Sequence, residues 1–345
     1  MNTSFAVQLF TFILGIAVLI VLHEIGHFVA ARALKVEVEE FGLGFPPRVA
    51  RLFRAWGTDF TLNAIPLGGF VRPKGENDPT VAGGLAASSP WVRLVVLVSG
   101  PMMNLMVGVV IGAILFYNIG KPITNQVLID LVAENSPAAA AGLQHGDLII
   151  EVNGTKIDSQ QRLQQITAQS LDMPITLVYQ RGDQLYTVRL TPRAHPPEGQ
   201  GPIGIGMTNP TEPITISQAL TTGISVTFDN IRGILTLPVK MVQGQAAPEE
   251  GRLVGYKGMF EIYQQIINPL WFFMAISISL GVINLLPFPS LDGGRILLTL
   301  PEILFHRRIP TRFENAINLI GFAFLIILLI YVNVQDFVNP IQLPK

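Results

Sequence analysis

The chain has 345 residues, no cysteine and a net charge of −1. Only 14% of it is charged and 49% is apolar, with a mean hydropathy of +0.46; soluble domains carry roughly 25% charged residues, so this balance points to a membrane protein. The near-neutral charge gives no reason to expect a nucleic-acid partner, and the lack of cysteine excludes disulfides, thiolate chemistry and Cys-based metal sites, leaving His, Asp and Glu to hold any metal.

In chain order, the first element is an apolar run from Phe5 to Leu34. It has no basic n-region and no small-residue cleavage site after it, so it reads as a retained transmembrane helix and not as a signal peptide. Three more segments have the length and apolarity to cross about 30 Å of hydrocarbon: about Val92–Tyr117, Asn268–Leu286 and Ala316–Val334. Loop charges set the orientation. Lys35, Arg48, Arg51, Arg54, Arg72 and Lys74 lie between the first and second spans, and Arg295, Arg307, Arg308 and Arg312 between the third and fourth. Those loops are therefore expected in the cytoplasm, with both termini and the long segment 118–267 outside it.

Between the first two spans, the apolar stretch "FTLNAIPLGGFV" (Phe60–Val71) predicts a hairpin that touches lipid or lines a cavity. Irregular backbone at membrane depth needs protein or water to satisfy it. In the outer segment, "VLIDLVA", "DLIIEVNG", "ITLVYQRG" and "LYTVRLTP" read as strands, with "RGDQ" as a hairpin turn. "DSQQRLQQITAQS" reads as a polar helix capped by Asp158 or Ser159. Residues 194–213, rich in Pro and Gly, read as a linker. Residues 214–243 read as an amphipathic helix, either lying on the membrane surface or packed on its own domain.

The chemistry is concentrated in "VLIVLHEIGHFVA" (Val18–Ala30). H-E-x-x-H puts two imidazoles four residues apart on one helical face, where both can bind one Zn²⁺, with the intervening Glu placed to act on water. Here the motif lies inside a membrane helix, where ionisable groups are costly unless something compensates. A zinc ion on His23 and His27, and a water cavity at Glu24, would do so. As plain helix-packing groups, with Glu24 ion-paired, the three would bear that cost without a metal. Zinc needs a third protein ligand and an open position. Glu37, Glu39 and Glu40 follow the motif but lie beyond the helix. The better candidate is Asp292 in "NLLPFPSLDGG" (Asn284–Gly294), where Pro and Gly break the chain just after the third span and let a carboxylate turn back into the bundle.

With these motifs the chain resembles the site-2 protease family of intramembrane zinc metalloproteases, and most closely its bacterial branch of the regulator of sigma-E protease type. "HEIGH" and "NLLPFPSLDGG" resemble the two zinc motifs, and "SGPMMNL" (Ser99–Leu105) a signature of the second helix. "IPLGGFVRPKGE" (Ile65–Glu76) resembles the membrane-associated hairpin, and "SPAAAAGLQHGDLIIEVNG" (Ser136–Gly154) a PDZ core. The resemblance implies a polytopic α-helical membrane protein of about four transmembrane helices, with a membrane-associated β-hairpin and an extracytoplasmic α+β PDZ-like domain. The domains would be 1–117, 118–195 (PDZ-like), 196–267 (linker and amphipathic segment) and 268–345. His23, His27 and Asp292 would bind zinc, and Glu24 would be general base and acid. Asn284 would hold the extended substrate backbone, with Ile65, Leu67, Gly68, Gly69 and Phe70 on the receiving hairpin. Asn104 matches the signature Asn, with a packing or hydrogen-bonding role. The activity implied is cleavage of transmembrane segments of single-pass proteins, such as an anti-sigma factor or a remnant signal peptide, in the inner (plasma) membrane and downstream of a site-1 protease. The text "RLVGYKGM" (Arg252–Met259) departs from the family pattern, and one PDZ-like domain stands where some relatives have two.

Two other classes compete. A silent membrane scaffold would have no need of Glu24. A metal or proton transporter would be expected to show broken helices in repeated halves, and no repeat is visible.

Overall fold

The computed structural model describes residues 4–197, 199–245 and 251–340. The side chains of Pro66 and Leu67 lie outside the described residues, as do Glu198, 246–250 and 341–345 from the expected linker and C-terminal segments. The chain forms two compact units. One runs to Leu115 and resumes at Leu220; the other is Phe116–Ala219.

The first unit begins with α1 (Phe5–Ala33), which Ser4 caps by accepting from the Val7 N–H. Phe10, Ile13, Leu14, Val18 and Val29 are all exposed along it, as expected of a helix whose solvent is lipid. Next comes an antiparallel pair, β1 (Val38–Ala55) and β2 (Thr58–Pro73). Phe28 of α1 meets Phe41 and Phe60 of this hairpin edge-on, and Phe41 and Phe53 stack on Phe60. Glu40 is buried there, and it accepts from Thr61 (2.8 Å) and pairs with Arg48 (2.7 Å) and Arg72 (3.0 Å). It is thereby committed to the hairpin.

α2 (Pro90–Ile119) returns across the unit. The second unit follows with β3 (Lys121–Pro122), β4 (Val127–Val132), α3 (Pro137–Ala140), β5 (Leu148–Val152), β6 (Thr155–Lys156), α4 (Gln160–Gln169), β7 (Ile175–Arg181), β8 (Gln184–Leu190), β9 (Ile205–Thr208) and β10 (Thr211–Glu212). Its main sheet has the order β8-β7-β5-β4-β9, with β6 paired to β5. Inward-facing residues supply its core: Val127 and Ile129, and Ile175, Leu177 and Tyr179, alternate along their strands, while Ile149 and Val152 are brought to the same side by a register shift in β5, all packed with Leu163 of α4. Ser159 caps α4, and Arg181 and Gln184 face each other across the β7–β8 turn. Residues 194–213, expected to be a linker, instead contribute β9 and β10. The alternation is masked there by glycine, since "GIGM" (Gly204–Met207) places only two apolar side chains on the strand.

The chain then re-enters the first unit through α5 (Ile216–Val242), α6 (Tyr256–Gln265), α7 (Pro269–Leu285), α8 (Asp292–Phe305) and α9 (Thr311–Val338). Among the described residues, three helices are long and apolar enough to span a membrane, namely α1, α2 and α9. The third expected span is the shorter α7, whose 17 residues extend only about 26 Å. Pro269 sets its start, and Pro287 and Pro289 prevent its continuation. Its buried face (Met274, Ser277, Ile278, Gly281) packs on α2. Helix α8, in a stretch read as loop, was not expected. Its internal Pro301 and its short length hid it.

Candidate metal centre

His23 and His27 project one turn apart from α1. Their Nε2 atoms are 3.1 Å apart, and Asp292 Oδ2 lies 3.2 Å from the first and 3.4 Å from the second. The three side chains are only 11–15% exposed. Among the described residues this is the one group of His and acidic side chains arranged to hold a metal.

Each of the three side chains is brought in by a local device. On α2, Gly100 leaves room for the His27 ring, because a Cβ there would sit 2.2 Å from Nε2. One turn further, the buried side-chain amide of Asn104 lies 3.2 Å from His23 Nδ1. The Gly100–Asn104 spacing thus matches the His23–His27 spacing on the facing helix, which explains "SGPMMNL". His27 Nδ1 is 2.8 Å from the Val96 carbonyl, which can only accept.

Asp292 is the first residue of α8. The turn before it is pinned to α9 by the Ser290 N–H donating to Asn318 Oδ1 at 3.2 Å and by the Ser290 hydroxyl donating to the Asn318 carbonyl. The glycines of "LDGG" are required by close approach. A Cβ on Gly293 would lie 2.2 Å from the Leu286 oxygen, and one on Gly294 2.2 Å from the Phe288 oxygen.

These residues fit a zinc ion. Because His27 donates Nδ1–H to Val96, its Nε2 is a lone-pair donor. That atom, His23 Nε2 and a carboxylate oxygen converge, which is an arrangement of acceptors that a metal cation stabilises. Metal–ligand bonds of 2.0–2.2 Å at tetrahedral angles put ligand atoms about 3.3–3.6 Å apart, close to the 3.1–3.4 Å seen here.

Glu24 projects from the same part of α1, and its Oε2 accepts from the Val71 N–H of β2 at 3.0 Å. This fixes the hairpin against the metal motif. A cavity of about 740 Å³ is lined by His23, Glu24, His27 and Asp292, by Gly68, Gly69 and Phe70 of the hairpin, and by Asn104 and Asn284. Ile65 is outside that lining. It pairs with Phe45 across the hairpin and is 45% exposed. The Leu67 side chain is outside the described residues. Glu76, Tyr256 and Arg295 also line the cavity and were not singled out from sequence, although Glu76 ends the hairpin motif and Arg295 directly follows "LDGG". His145 is an exposed residue of the second unit, 2.6 Å from the Asp130 carbonyl, and His306 ends α8.

Comparison with known proteins agrees with this geometry. Peptidase family M50 matches residues 11–328. A Clostridium perfringens protein named "Putative zinc metalloprotease" is 30% identical over 95% of this chain and 98% of its own length. The regulator of sigma-W protease RasP of Bacillus subtilis is 27% identical over 94% of this chain and 97% of its own. Among solved structures, the PDZ domain of the SdrC-like protein of Listeria monocytogenes is 27% identical and covers 26% of this chain and 93% of that one, at a TM-score of 0.23. A chain-long family match over a buried His–His–Asp cluster leaves one conclusion: the chain belongs to peptidase family M50, and is an integral-membrane metalloprotease whose cofactor is zinc.

Proposed function

We propose that the protein hydrolyses peptide bonds within the membrane-spanning segments of single-pass membrane proteins, as a step in regulated intramembrane proteolysis. The observation that carries this reading is the placement of the metal centre on a helix built for lipid. His23 lies 18 residues past Phe5, about 27 Å along the helix axis, which is within the reach of a hydrocarbon core about 30 Å thick and toward its far side, where a membrane-spanning substrate can meet it. His23, His27 and Asp292 hold the zinc, which when bound supplies a Lewis acid that polarises the scissile carbonyl and acidifies water. Glu24 takes the proton of the attacking water and passes it to the leaving amine. Its Oε2 is engaged by the Val71 N–H, which leaves Oε1 for the proton.

A transmembrane helix hides its carbonyls in hydrogen bonds, so the substrate has to unwind first. The hairpin at Gly68–Phe70 receives the extended segment by strand addition, and Asn284 bonds to its backbone. Basic residues cluster between α1 and α2 and after α8, which supports a cytoplasmic place for those loops in the inner (plasma) membrane, with both termini and the second unit outside the cytoplasm. The second unit, read as PDZ-like, excludes substrates with bulky outer domains until an upstream site-1 protease trims them. RasP, a relative named for its sigma factor, supports an anti-sigma factor as one substrate; a remnant signal peptide is the other.

The test is cleavage of a single-pass substrate in reconstituted vesicles by wild type and Glu24→Gln. The variant should fold, keep its zinc and lose at least about 10²-fold in rate, the range for removal of a general acid–base. Unchanged cleavage by the variant would refute the role of Glu24.

A further inference from the structure

Two cations line the metal cavity, Arg72 and Arg295, and neither pairs with a group of the metal motif. Arg72 is taken by the buried Glu40 at 3.0 Å. Arg295 is taken by Glu76, through a contact of Nη1 with Oε1. Arg295 lies three residues after Asp292 on α8, so the two share one face of the helix. Besides Glu76, the carboxylates that act on its guanidinium are Asp292, which lines the cavity, and Glu314 of α9, which does not. An arginine cannot be deprotonated and binds carboxylates in a fork geometry. Paired that way, Asp292 would have its charge neutralised and both oxygens oriented toward the guanidinium, with about two of its four lone-pair sites in use, and would be a weaker metal ligand.

Glu76 is not needed simply to hold α8 in place. The same helix is tied to the segment after the hairpin at two further points. Arg93, at the start of α2, pairs with Glu302, and Arg308, just past the end of α8, donates to the Ala86 carbonyl at 2.6 Å. The Glu76–Arg295 pair is the tie that sits at the cavity itself, with each side chain about one third exposed or less.

We infer that Glu76 is a positioning residue of the metal centre: by holding Arg295 it keeps Asp292 free to bind zinc. The inference rests on the three-ligand reading given above and adds a group to it. Partners of metal ligands change affinity by about 10- to 100-fold when removed, and here the effect arises from an unmasked competitor.

The experiment measures zinc affinity of the full-length protein in detergent by competition with a chelating dye, for wild type, Glu76→Gln, Arg295→Met and the double variant. Thermal unfolding is followed on the same samples. Glu76→Gln should weaken zinc binding by about tenfold or more, Arg295→Met should bind as wild type does, and the double variant should regain the affinity that the single Glu76 variant lost. Wild-type affinity in Glu76→Gln would overturn the proposal. So would a double variant as weak as Glu76→Gln, because that result makes the pair a mechanical tie. If Glu76→Gln does not fold, the double variant decides: folded and zinc-bound supports the proposal, unfolded overturns it. Absence of zinc from the wild type, or its retention by His23→Ala, is a failure of the ligand assignment instead and is read separately.

Discussion

At the residue scale, the side chains behind the ligands carry as much of the argument as the ligands do. His23 presents Nε2 to the cluster, so its ring proton belongs on Nδ1, 3.2 Å from the Asn104 amide. Only the oxygen end of that amide accepts a proton, and the two ends exchange by a half turn in the same volume. Asn104 thus fixes both ring orientation and tautomer, as metal-bound histidines generally require. Asn104→Ala should retain the fold and weaken zinc binding by about 10- to 100-fold, measured by chelator competition. Unchanged affinity would reduce Asn104 to packing. The sequence contained this residue as part of a signature, but not its partner. Which side chain meets His23 depends on the helix–helix register, and that depends on Gly26, Gly100 and Gly281 allowing the backbones to approach.

At the element scale, the hairpin and α8 place the chemistry. Val71 of β2 donates to Glu24, so a proline at 71 removes the bond that orients the Glu24 carboxylate, the proposed base. Val71→Pro should lower cleavage, with zinc content unchanged. If zinc is lost as well, the hairpin supports the metal site itself and not only Glu24. H-E-x-x-H was legible because helical periodicity alone brings its histidines together. Asp292 was legible only through its Pro- and Gly-rich surroundings, and the structure supplies the reason: Gly293 and Gly294 fold the start of α8 onto the end of α7. Helix α8 itself was hidden because its 14 residues fall short of a span and Pro301 interrupts it, although its apolar residues recur at helical spacing. The β9 strand was hidden because its glycines interrupt the alternation that marks a strand.

At the scale of the whole molecule, the chain is divided between an apolar unit that carries the proposed metal site and a second unit inserted at Phe116–Ala219. The second unit has its own core around Val127, Ile149, Leu163 and Leu177, so its removal need not destroy the first. If it filters substrates by size, a chain in which 126–213 is replaced by a short flexible linker should cleave untrimmed substrates that the intact protein rejects. Cleavage confined to trimmed substrates after the deletion would contradict the filter. The class of molecule was legible from 14% charge and 49% apolar content, because apolar helices have to be long to satisfy their backbones in lipid. The number of spans was less so: α7 has the apolarity of a span but not the length.

The central claim is that His23, His27 and Asp292 form one zinc site. It is tested most directly by the zinc content of the purified full-length protein beside His23→Ala and Asp292→Asn. About one zinc per wild-type chain is expected, as for a single three-ligand catalytic site, with loss of zinc from both folded variants. A folded wild type that takes up no zinc after apo reconstitution, or an Asp292→Asn variant that holds zinc as the wild type does, would contradict it.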